Sequence, residues 1–265
     1  MNYIISPATR NEVPVIVSVP HCGTEFPDDV KDLYVPELIA APDDTDWFVH
    51  QLYDFAPEMG MTMIHAKYSR WVIDLNRDPQ SKPLYTDGRI ITALCPTTTF
   101  LGQPIYRDQR TEIDSNETTR RLEKYYWPYH KQLEENLDRL KKKFGKVLLW
   151  DCHSIRQVVQ TIQKEKFPDM ILGDADGTSA SIGLIETALT NLDHSNYSVN
   201  HNHPFKGGFI TRNFGQPSDN VHALQLEMAK VHYMDDSETK YDKARADKMR
   251  AVLQKTFSKL IDQLV

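Results

Sequence analysis

Three short apolar runs each end beside residues that bind metals or anions, and this arrangement constrains the fold more than any other feature of the chain. Runs of this length, rich in β-branched residues, are typical of strands buried in a sheet. In open α/β sheets, ligands bind beyond the carboxyl ends of the strands. The sequence therefore predicts a metal site beside an anion pocket, built where the runs meet their polar residues: residues 15–19 before His21, residues 147–150 before His153, and residues 71–75 before Asn76 and Arg77.

Strand candidates alternate with helical patterns along the chain. The predicted strands span residues 13–19, 62–66, 71–75, 146–150, 197–200 and 223–228, and the predicted helices span residues 44–59, 122–144, 177–192 and 241–264. Pro128 is expected to kink or split the second helix, because proline lacks an N–H group. The polar stretch 84–115 is predicted to be a long excursion near the site. The alternation predicts one α/β domain over residues 1–265, with three layers (α/β/α) and a mostly parallel mixed sheet.

Composition and charge argue against several kinds of partner. The net charge is −6, so no general surface for nucleic acid is expected. No apolar run approaches the roughly 20 residues that a membrane span needs, and the N-terminus lacks the features of a signal peptide. The three cysteines, Cys22, Cys95 and Cys152, form no plausible disulfide framework, so a reducing cytoplasm is expected. The oligomeric state stays open.

His21 and His153 are the predicted metal ligands, because an imidazole at a strand end can be aimed rigidly. The alternative for each is a buried, hydrogen-bonded histidine. Asp151 lies on the same side of its strand as His153, since side chains alternate, and can orient that imidazole. A catalytic zinc usually has three protein ligands, so a carboxylate is needed. The candidates are Glu25, close to His21, and the cluster Asp43, Asp44 and Asp46 at a predicted helix start, where simple capping is the alternative.

Arg70, Asn76 and Arg77 form the predicted anion pocket. An arginine offers a planar, always-charged fork that matches a carboxylate, and Asn76 adds an amide beside Arg77. The alternative is an ordinary salt-bridge network with Asp74 and Asp78. A metal site beside an anion pocket points to hydrolysis of a small acidic substrate.

Glu227 is a carboxylate inside an apolar strand pattern and is the candidate general base or acid. Burial raises the pKa of a carboxyl group toward neutrality, which suits proton transfer; the alternative is a paired structural glutamate. The segment 206–212 contains two glycines and carries Lys206 and Arg212. It is predicted to close over an anionic substrate or to form a simple hairpin turn.

Eight motifs, taken in order, resemble the N-formylglutamate amidohydrolase family. The resemblance runs from Pro14 to about Met234, which is most of the chain, and each motif alone is only moderately specific. The motifs are VSVPHCGTE at 17–25, DTDW at 44–47, YSRWVIDLNRD at 68–78, LCPT at 94–97, WPYH at 127–130, LWDCHSI at 149–155, FKGGFITR at 205–212 and VHALQLEM at 221–228.

The resemblance implies a fold similar to that of zinc carboxypeptidases and aspartoacylase-type deacylases. It also implies a role for each site residue. His21 and His153 become ligands of a divalent metal, and the middle ligand is Asp46 or, less directly, Glu25. The metal implied is zinc, with cobalt and iron as alternatives that suit the same ligands. The remaining roles are Asn76 and Arg77 as the clamp for a substrate carboxylate, Arg70 as the oxyanion or carboxylate partner, and Glu227 as the base. Arg212, from the segment 206–212, is a further predicted substrate contact.

The reaction implied by the resemblance is hydrolysis of N-formyl-L-glutamate to formate and L-glutamate, as part of histidine degradation. The run 200–204 departs from the shorter Asn-Gly-Arg type run of deformylases, so the acyl amino acid stays open. The alternatives are a deacylase of another N-acyl acidic amino acid or short peptide, and a binding module for acidic metabolites that has no activity. Two histidines, two arginines and a buried base argue against the binding module.

Overall fold

A mixed sheet of seven strands forms the centre of the computed structural model, which describes residues 1–80 and 93–265. The strands are β1 (Tyr3–Ser6), β2 (Val15–Val19), β3 (Thr62–Ala66), β4 (Val147–Ile155), β5 (Met170–Gly173), β6 (Val199–His201) and β7 (Val221–Ala229). Their order across the sheet is β1-β3-β2-β4-β7-β5-β6. The central strands β3, β2, β4 and β7 are parallel, whereas β1 and β5 pair antiparallel with β3 and β7. The predicted α/β class and mostly parallel mixed sheet are confirmed.

Helices cover both faces of the sheet and create two hydrophobic cores. The helices are α1 (Asp28–Lys31), α2 (Pro36–Ile39), α3 (Val49–Leu52), α4 (Ser115–Arg121), α5 (Trp127–Phe144), α6 (Ile182–Asp193), α7 (Phe209–Phe214) and α8 (Lys243–Leu264). Alternation along β4 supplies both cores: Trp150 packs with α6 and α8 on one face, and Leu149 packs with α5 on the other. Within the described residues, no helix combines the length and apolarity that crossing a bilayer requires.

Just before Pro128, where a kink or split is predicted, the helical backbone is continuous and changes type. Leu122–Tyr126 forms a π-helical turn, and α5 begins at Trp127 with Pro128 in its first turn. A proline is well tolerated there, because the first N–H groups of a helix have no partner within the helix. At its other end α5 stops at Gly145, whose φ of 84° is readily adopted by glycine.

The predicted strand at 71–75 is wrong. These residues are buried, but they form turns and irregular backbone instead of pairing with a strand. The carbonyl oxygens of the segment accept hydrogen bonds from side chains, so that the buried backbone is satisfied without a neighbouring strand. The pairs are Trp71 O with Tyr34 Oη, Val72 O with Arg121 Nη1, and Leu75 O with His130 Nε2.

The predicted helix at 44–59 is also wrong, because only α3 and a short 3₁₀ turn (Pro57–Met59) lie within it. Asp44 does not cap a helix: its carboxylate accepts hydrogen bonds from Trp71 Nε1 and from the backbone of Phe100. Two short strands are missing from the predicted set: β1, at one edge of the sheet, and β5, which lies between β7 and β6. The predicted excursion at 84–115 lies partly outside the described residues, and residues 93–114 contain neither a helix nor a paired strand.

Candidate metal centre and active-site cavity

His21, Asp46 and His153 meet at the carboxyl edge of the central strands. His21 follows β2, His153 lies two residues before the end of β4, and Asp46 comes from the loop between α2 and α3. All three are buried, and their ligand atoms lie within 4.8 Å of one another. Asp46 Oδ2 is 3.2 Å from His153 Nδ1 and 3.7 Å from His21 Nδ1. The backbone N–H of Asp46 donates to His21 O at 2.9 Å, which fixes the loop to the end of β2.

The donor set fits a divalent metal ion. His21 Nδ1 is buried and has no hydrogen-bond partner among the described residues. In each imidazole Nδ1 faces Asp46, and the other nitrogen, Nε2, contacts a buried carboxylate. His21 Nε2 lies 2.8 Å from Asp74 Oδ1, and His153 Nε2 lies 2.9 Å from Asp151 Oδ2. Carboxylates in this position commonly orient metal-binding histidines, and two histidines with one carboxylate suit a catalytic zinc site.

The charges around the cluster also favour a cation. Burial lowers the pKa of His21 to about 4, with a smaller contribution from the nearby Arg70, so the imidazole is neutral near pH 7. Burial alone would raise the pKa of Asp46, but its hydrogen bond to His153 and the charges of both histidines lower it. Asp46 is therefore an anion between two imidazoles. Metal ligands must be deprotonated, and this arrangement provides that state at His21 and Asp46. Burial would lower the pKa of His153, but the charge of Asp151 and the hydrogen bonds to Asp151 and Asp46 raise it well above its ordinary value, so metal binding would release a proton from His153.

Asp46 is the member of the acidic candidates that faces the histidines. Glu25 is exposed and pairs with Lys67 at 3.2 Å, so the structure does not bring it to the cluster. Asp43 pairs with Arg156, and Asp44 is held by Trp71 as described above. Cys22 and Cys152 are buried in the hydrophobic core on the α6/α8 face, and burial raises the pKa of both thiols. As the strand alternation predicts, Cys152 lies apart from the cluster.

Asp74 joins the predicted metal site to the predicted anion pocket. It is fully buried, and its two oxygens have different partners: Oδ1 faces His21, whereas Oδ2 accepts from Arg70 Nη2 at 2.5 Å. Arg77 Nε lies 3.9 Å from the same Oδ2. Arg70 is stacked 4.9 Å from the ring of Phe100. The sequence alone offered Asp74 only as a salt-bridge partner, and its position inside a buried apolar run was the available signal of a larger role.

Asn76 is packed against the cluster as well as against the cavity. Its Nδ2 lies 2.9 Å from His153 Nε2, and its Oδ1 accepts from the backbone N–H of Ile210 at 2.7 Å. A Cβ atom at Gly208 would lie 2.3 Å from Asn76 Nδ2, so this close approach requires glycine. Gln225 Oε1 accepts from Gly208 N–H at 2.8 Å. Gln225 is absent from the predicted residues, although its spacing of two from Glu227 places both on one face of β7.

Glu227 lies beside His153 in the β4–β7 ladder, and it lines the cavity. Among the described residues, its carboxylate has no hydrogen bond and no ion pair. Burial raises the pKa of Glu227 to about 8, and the negative charge of Asp46 acts in the same direction. The group is therefore an unpaired carboxyl that can exchange a proton near neutral pH.

These residues line one cavity of about 540 Å³. His21, Asp46, His153, Arg70, Asn76, Arg77 and Glu227 form its polar part. An apolar wall completes it, which we define as Phe100, Leu101, Ile155, Ile162 and Phe205. Arg212 is the exception among the predicted residues: it is exposed on α7, its Nε donates to Gly207 O at 2.9 Å, and it does not line the cavity. The cavity lining thus gives no support to its contact with substrate, which stays a prediction.

A comparison with models of protein families matches residues 13–234 to the N-formylglutamate amidohydrolase family. The chain belongs to this family. Family membership confirms the resemblance read from the eight motifs, and it makes the chain an amidohydrolase, an enzyme that hydrolyses a linear amide bond.

Two named relatives have the same family affiliation. An N-formylglutamate deformylase from Pseudomonas putida is 41% identical over 230 residues, covering 86% of this chain and 85% of the relative. The N-formylglutamate deformylase of Pseudomonas aeruginosa is 41% identical over 256 residues, covering 95% of this chain and 94% of the relative.

Solved structures match over almost the whole chain. The crystal structure of N-formylglutamate amidohydrolase from Ralstonia eutropha JMP134 has a TM-score of 0.82 and 26% identity, and the match covers 99% of this chain and 98% of that one. The structure of gene product Atu2144 from Agrobacterium tumefaciens has a TM-score of 0.76 and covers 100% of this chain and 95% of that one. At 15% identity, this second similarity concerns the fold alone.

Proposed function

We propose that the chain hydrolyses N-formyl-L-glutamate to formate and L-glutamate, with a divalent metal held by His21, Asp46 and His153. The observation that carries the proposal is the shared cavity, in which a buried two-histidine, one-carboxylate cluster faces two arginines and the unpaired Glu227. The relatives named as N-formylglutamate deformylases support the choice of substrate. Zinc is the metal that this donor set suits best, and cobalt and iron suit it as well.

Substrate binding is assigned to the cationic part of the cavity. Asn76 and Arg77 hold a carboxylate of the substrate, and this contact positions the formyl amide against the cluster. When bound, a divalent metal supplies a Lewis acid that polarises the formyl oxygen and lowers the pKa of water. Arg70, fixed by Asp74, stabilises the negative charge that develops on the formyl oxygen.

Glu227 carries the proton. Its carboxylate takes a proton from the attacking water as the new bond forms between the water oxygen and the formyl carbon. The same carboxyl group then gives that proton to the nitrogen as the carbon–nitrogen bond breaks, which releases formate and the amine of glutamate. Burial raises the pKa of Glu227 to about 8, which makes its carboxylate a stronger base in the first step and leaves the carboxyl group a competent acid in the second.

We also propose a place for this reaction in the cell. The family resemblance supports a role in histidine degradation, where N-formylglutamate is the substrate that the resemblance implies. Three free, buried cysteines support a reducing compartment, and we assign the chain to the cytoplasm.

Formate release from N-formyl-L-glutamate tests the proposal. The protein is assayed as purified, after removal of metal with a chelator, and after addition of zinc or cobalt. Release that is lost on chelation and restored by metal supports both the substrate and the metal. No release from a protein that holds one metal per chain would disprove the proposed substrate and retain the metal site.

A larger N-acyl acidic amino acid is the second candidate substrate, and the apolar wall favours it. The formyl group is small, whereas Phe100, Ile162 and Phe205 present apolar surface to the cavity. A charged carboxylate is costly to desolvate against such surface, so the uncharged acyl end of a substrate fits it better. Comparing kcat/KM for the formyl, acetyl and butyryl derivatives of glutamate separates the two candidates.

A further inference from the structure

Lys230 is a buried lysine that contacts the loop carrying Asp46. It begins the 3₁₀ turn Lys230–His232 that follows β7, three residues after Glu227, and its side chain is 3% exposed. Its Nζ donates to the carbonyl oxygen of Thr45 at 2.8 Å. In the part of the chain that the structure describes, this is its one hydrogen bond, and no carboxylate lies within ion-pair distance.

A lysine in this position is costly to the fold. An ammonium group has three donors, and burying it with one partner leaves much of its hydration uncompensated. Burial accordingly lowers the pKa of Lys230, although the negative charges of Asp46, Asp43 and Glu238 oppose that effect. An apolar side chain of similar length would fill the same space without this cost, so the contact with Thr45 calls for an explanation.

The partner of Lys230 is the residue next to a metal ligand. Thr45 immediately precedes Asp46, whose own N–H donates to His21 O. The pair Thr45–Asp46 is thus held from two sides. His21, just after β2, binds the N–H of Asp46, and Lys230, just after β7, binds the carbonyl of Thr45. Among the described residues, the Lys230–Thr45 contact is the one side-chain hydrogen bond that joins residues 227–232 to residues 42–47.

We propose that Lys230 is a positioning residue of the metal centre, which holds Asp46 at a fixed distance from the strand end that carries Glu227. The inference rests on the proposed metal site but not on the identity of the substrate. Removal of an outer residue that orients a metal ligand typically weakens metal binding 10–100-fold. The same range is expected here, because the loop that carries Asp46 would keep its contacts with His21 and His153 but lose the hydrogen bond that joins it to the end of β7.

The test compares Lys230→Met, which keeps the length and loses the donor, with Lys230→Gln, which keeps a donor without a charge. Metal-stripped protein is titrated with Co²⁺, and the visible spectrum gives both the Kd and the coordination of the bound ion. Leu253→Ala is the matched control, since Leu253 is fully buried in the core on α8 and is not one of the residues that line the cavity. It lowers stability by emptying part of the core, without changing the metal site.

We expect Lys230→Met to raise the Kd for Co²⁺ 10–100-fold and to alter the cobalt spectrum, Lys230→Gln to raise it less, and Leu253→Ala to leave it unchanged. Folded Lys230 variants with the wild-type Kd and spectrum would overturn the inference while the metal site stands. If Lys230→Met does not fold, Lys230→Gln alone decides. A wild-type protein that binds no Co²⁺ would instead overturn the proposed metal site, and with it the role of Lys230.

Discussion

Two fully buried aspartates, Asp74 and Asp151, orient the two histidines of the cluster. Each carboxylate lies within hydrogen-bond distance of Nε2 of its histidine. A second hydrogen bond holds each carboxylate in place. For Asp74 the partner is Arg70, and for Asp151 it is Ser18, whose Oγ donates at 3.0 Å. The imidazoles are thus held in place before any ligand binds, which reduces the ordering cost of metal binding.

Glu227→Gln is expected to lower kcat for formate release at least 100-fold while one metal per chain stays bound. The amide cannot accept the proton of the attacking water, and general base catalysis commonly contributes 10²–10⁴-fold. Steady-state kinetics and metal analysis of the same preparation check both parts. Wild-type turnover in this variant would remove Glu227 from the mechanism.

Arg77→Ala is expected to raise KM for N-formyl-L-glutamate much more than it lowers kcat, because Arg77 is assigned to a carboxylate away from the scissile bond. Arg212→Ala is the comparison, since the structure leaves this second arginine outside the cavity lining. Its KM is expected to stay within about twofold of the wild type. An equal rise in KM for both variants would restore the sequence-based assignment of Arg212.

Irregular segments, more than strands, carry the anion-binding groups into the cavity. Residues 69–78 contain Arg70, Asp74, Asn76 and Arg77, and they are held by side chains from other elements. The central support is Arg121 at the end of α4. It is fully buried, and its Nη1 donates to Val72 O at 2.9 Å while its Nε donates to Glu117 at 2.7 Å.

Arg121→Met is expected to lower the free energy of unfolding by about 3–5 kcal/mol, because it leaves buried carbonyl and hydroxyl groups without their donor. Its neighbour Arg120 provides the control. Arg120 also pairs with Glu117, but its side chain is 38% exposed, and exposed ion pairs contribute about 0–1 kcal/mol. Urea unfolding of both variants measures the difference, and equal losses would contradict a special role for burial at Arg121.

The strands and helices that could be predicted correctly are those with a regular pattern of apolar residues in the sequence. Strands β2, β3, β4 and β7 lie where the apolar runs place them, and α5 lies where the three- and four-residue spacing places it. The run 71–75 has the same β-branched, apolar character as those strands. What decides its conformation is a set of donors, Tyr34, Arg121 and His130, that are 37 to 55 residues away in the chain. No local pattern contains that information.

The same distinction holds for the site. His21 and His153 could be predicted because each directly follows or ends an apolar run. The choice of Asp46 over Glu25 could not be decided from spacing, since it depends on how the 42–47 loop is folded against His21 and Lys230. The position of Arg212 could not be predicted for a related reason: α7 begins at Phe209, directly after the two glycines, and Arg212 is exposed on that helix, outside the cavity lining.

At the scale of the whole molecule, the site joins segments from most of the chain. Residues near 21, 46, 74, 153 and 227 meet only when the central strands and their loops are assembled. Stability and activity should therefore be lost together on unfolding. The α5 face contributes a buried histidine that makes this stability depend on pH, although it takes no part in the cluster.

His130 is packed against Tyr126, with ring centroids 4.1 Å apart, and hydrogen-bonds Leu75 O. Burial lowers the pKa of His130 to about 4, whereas an unfolded histidine has a pKa near 6.5. Between these values the unfolded chain takes up a proton that the folded protein does not. The free energy of unfolding therefore falls as the pH drops from about 6.5 to 4, by about 3 kcal/mol in total from this residue.

His130→Gln is expected to remove that part of the pH dependence. Urea unfolding at pH 7, 6 and 5 gives the slope for the variant and the wild type, and His194→Gln, at an exposed position, serves as the control. The other buried histidines contribute equally to all three proteins, so the difference in slope isolates His130. Parallel slopes for the wild type and His130→Gln would contradict the assignment.

All residues of the apolar wall except Leu101 belong to a third, small hydrophobic cluster that is separate from the two cores. Ile155, Val159, Phe167 and Ile171 form it, with Phe100, Ile162 and Phe205 packed around them. The groups assigned to the metal and to the chemistry are held instead by a buried network of carboxylates, histidines and Arg70. Selection for a new acyl group can therefore change the wall one side chain at a time, at little expense to folding or to the chemistry, so that lineages sharing one reaction can diverge in the amides they consume.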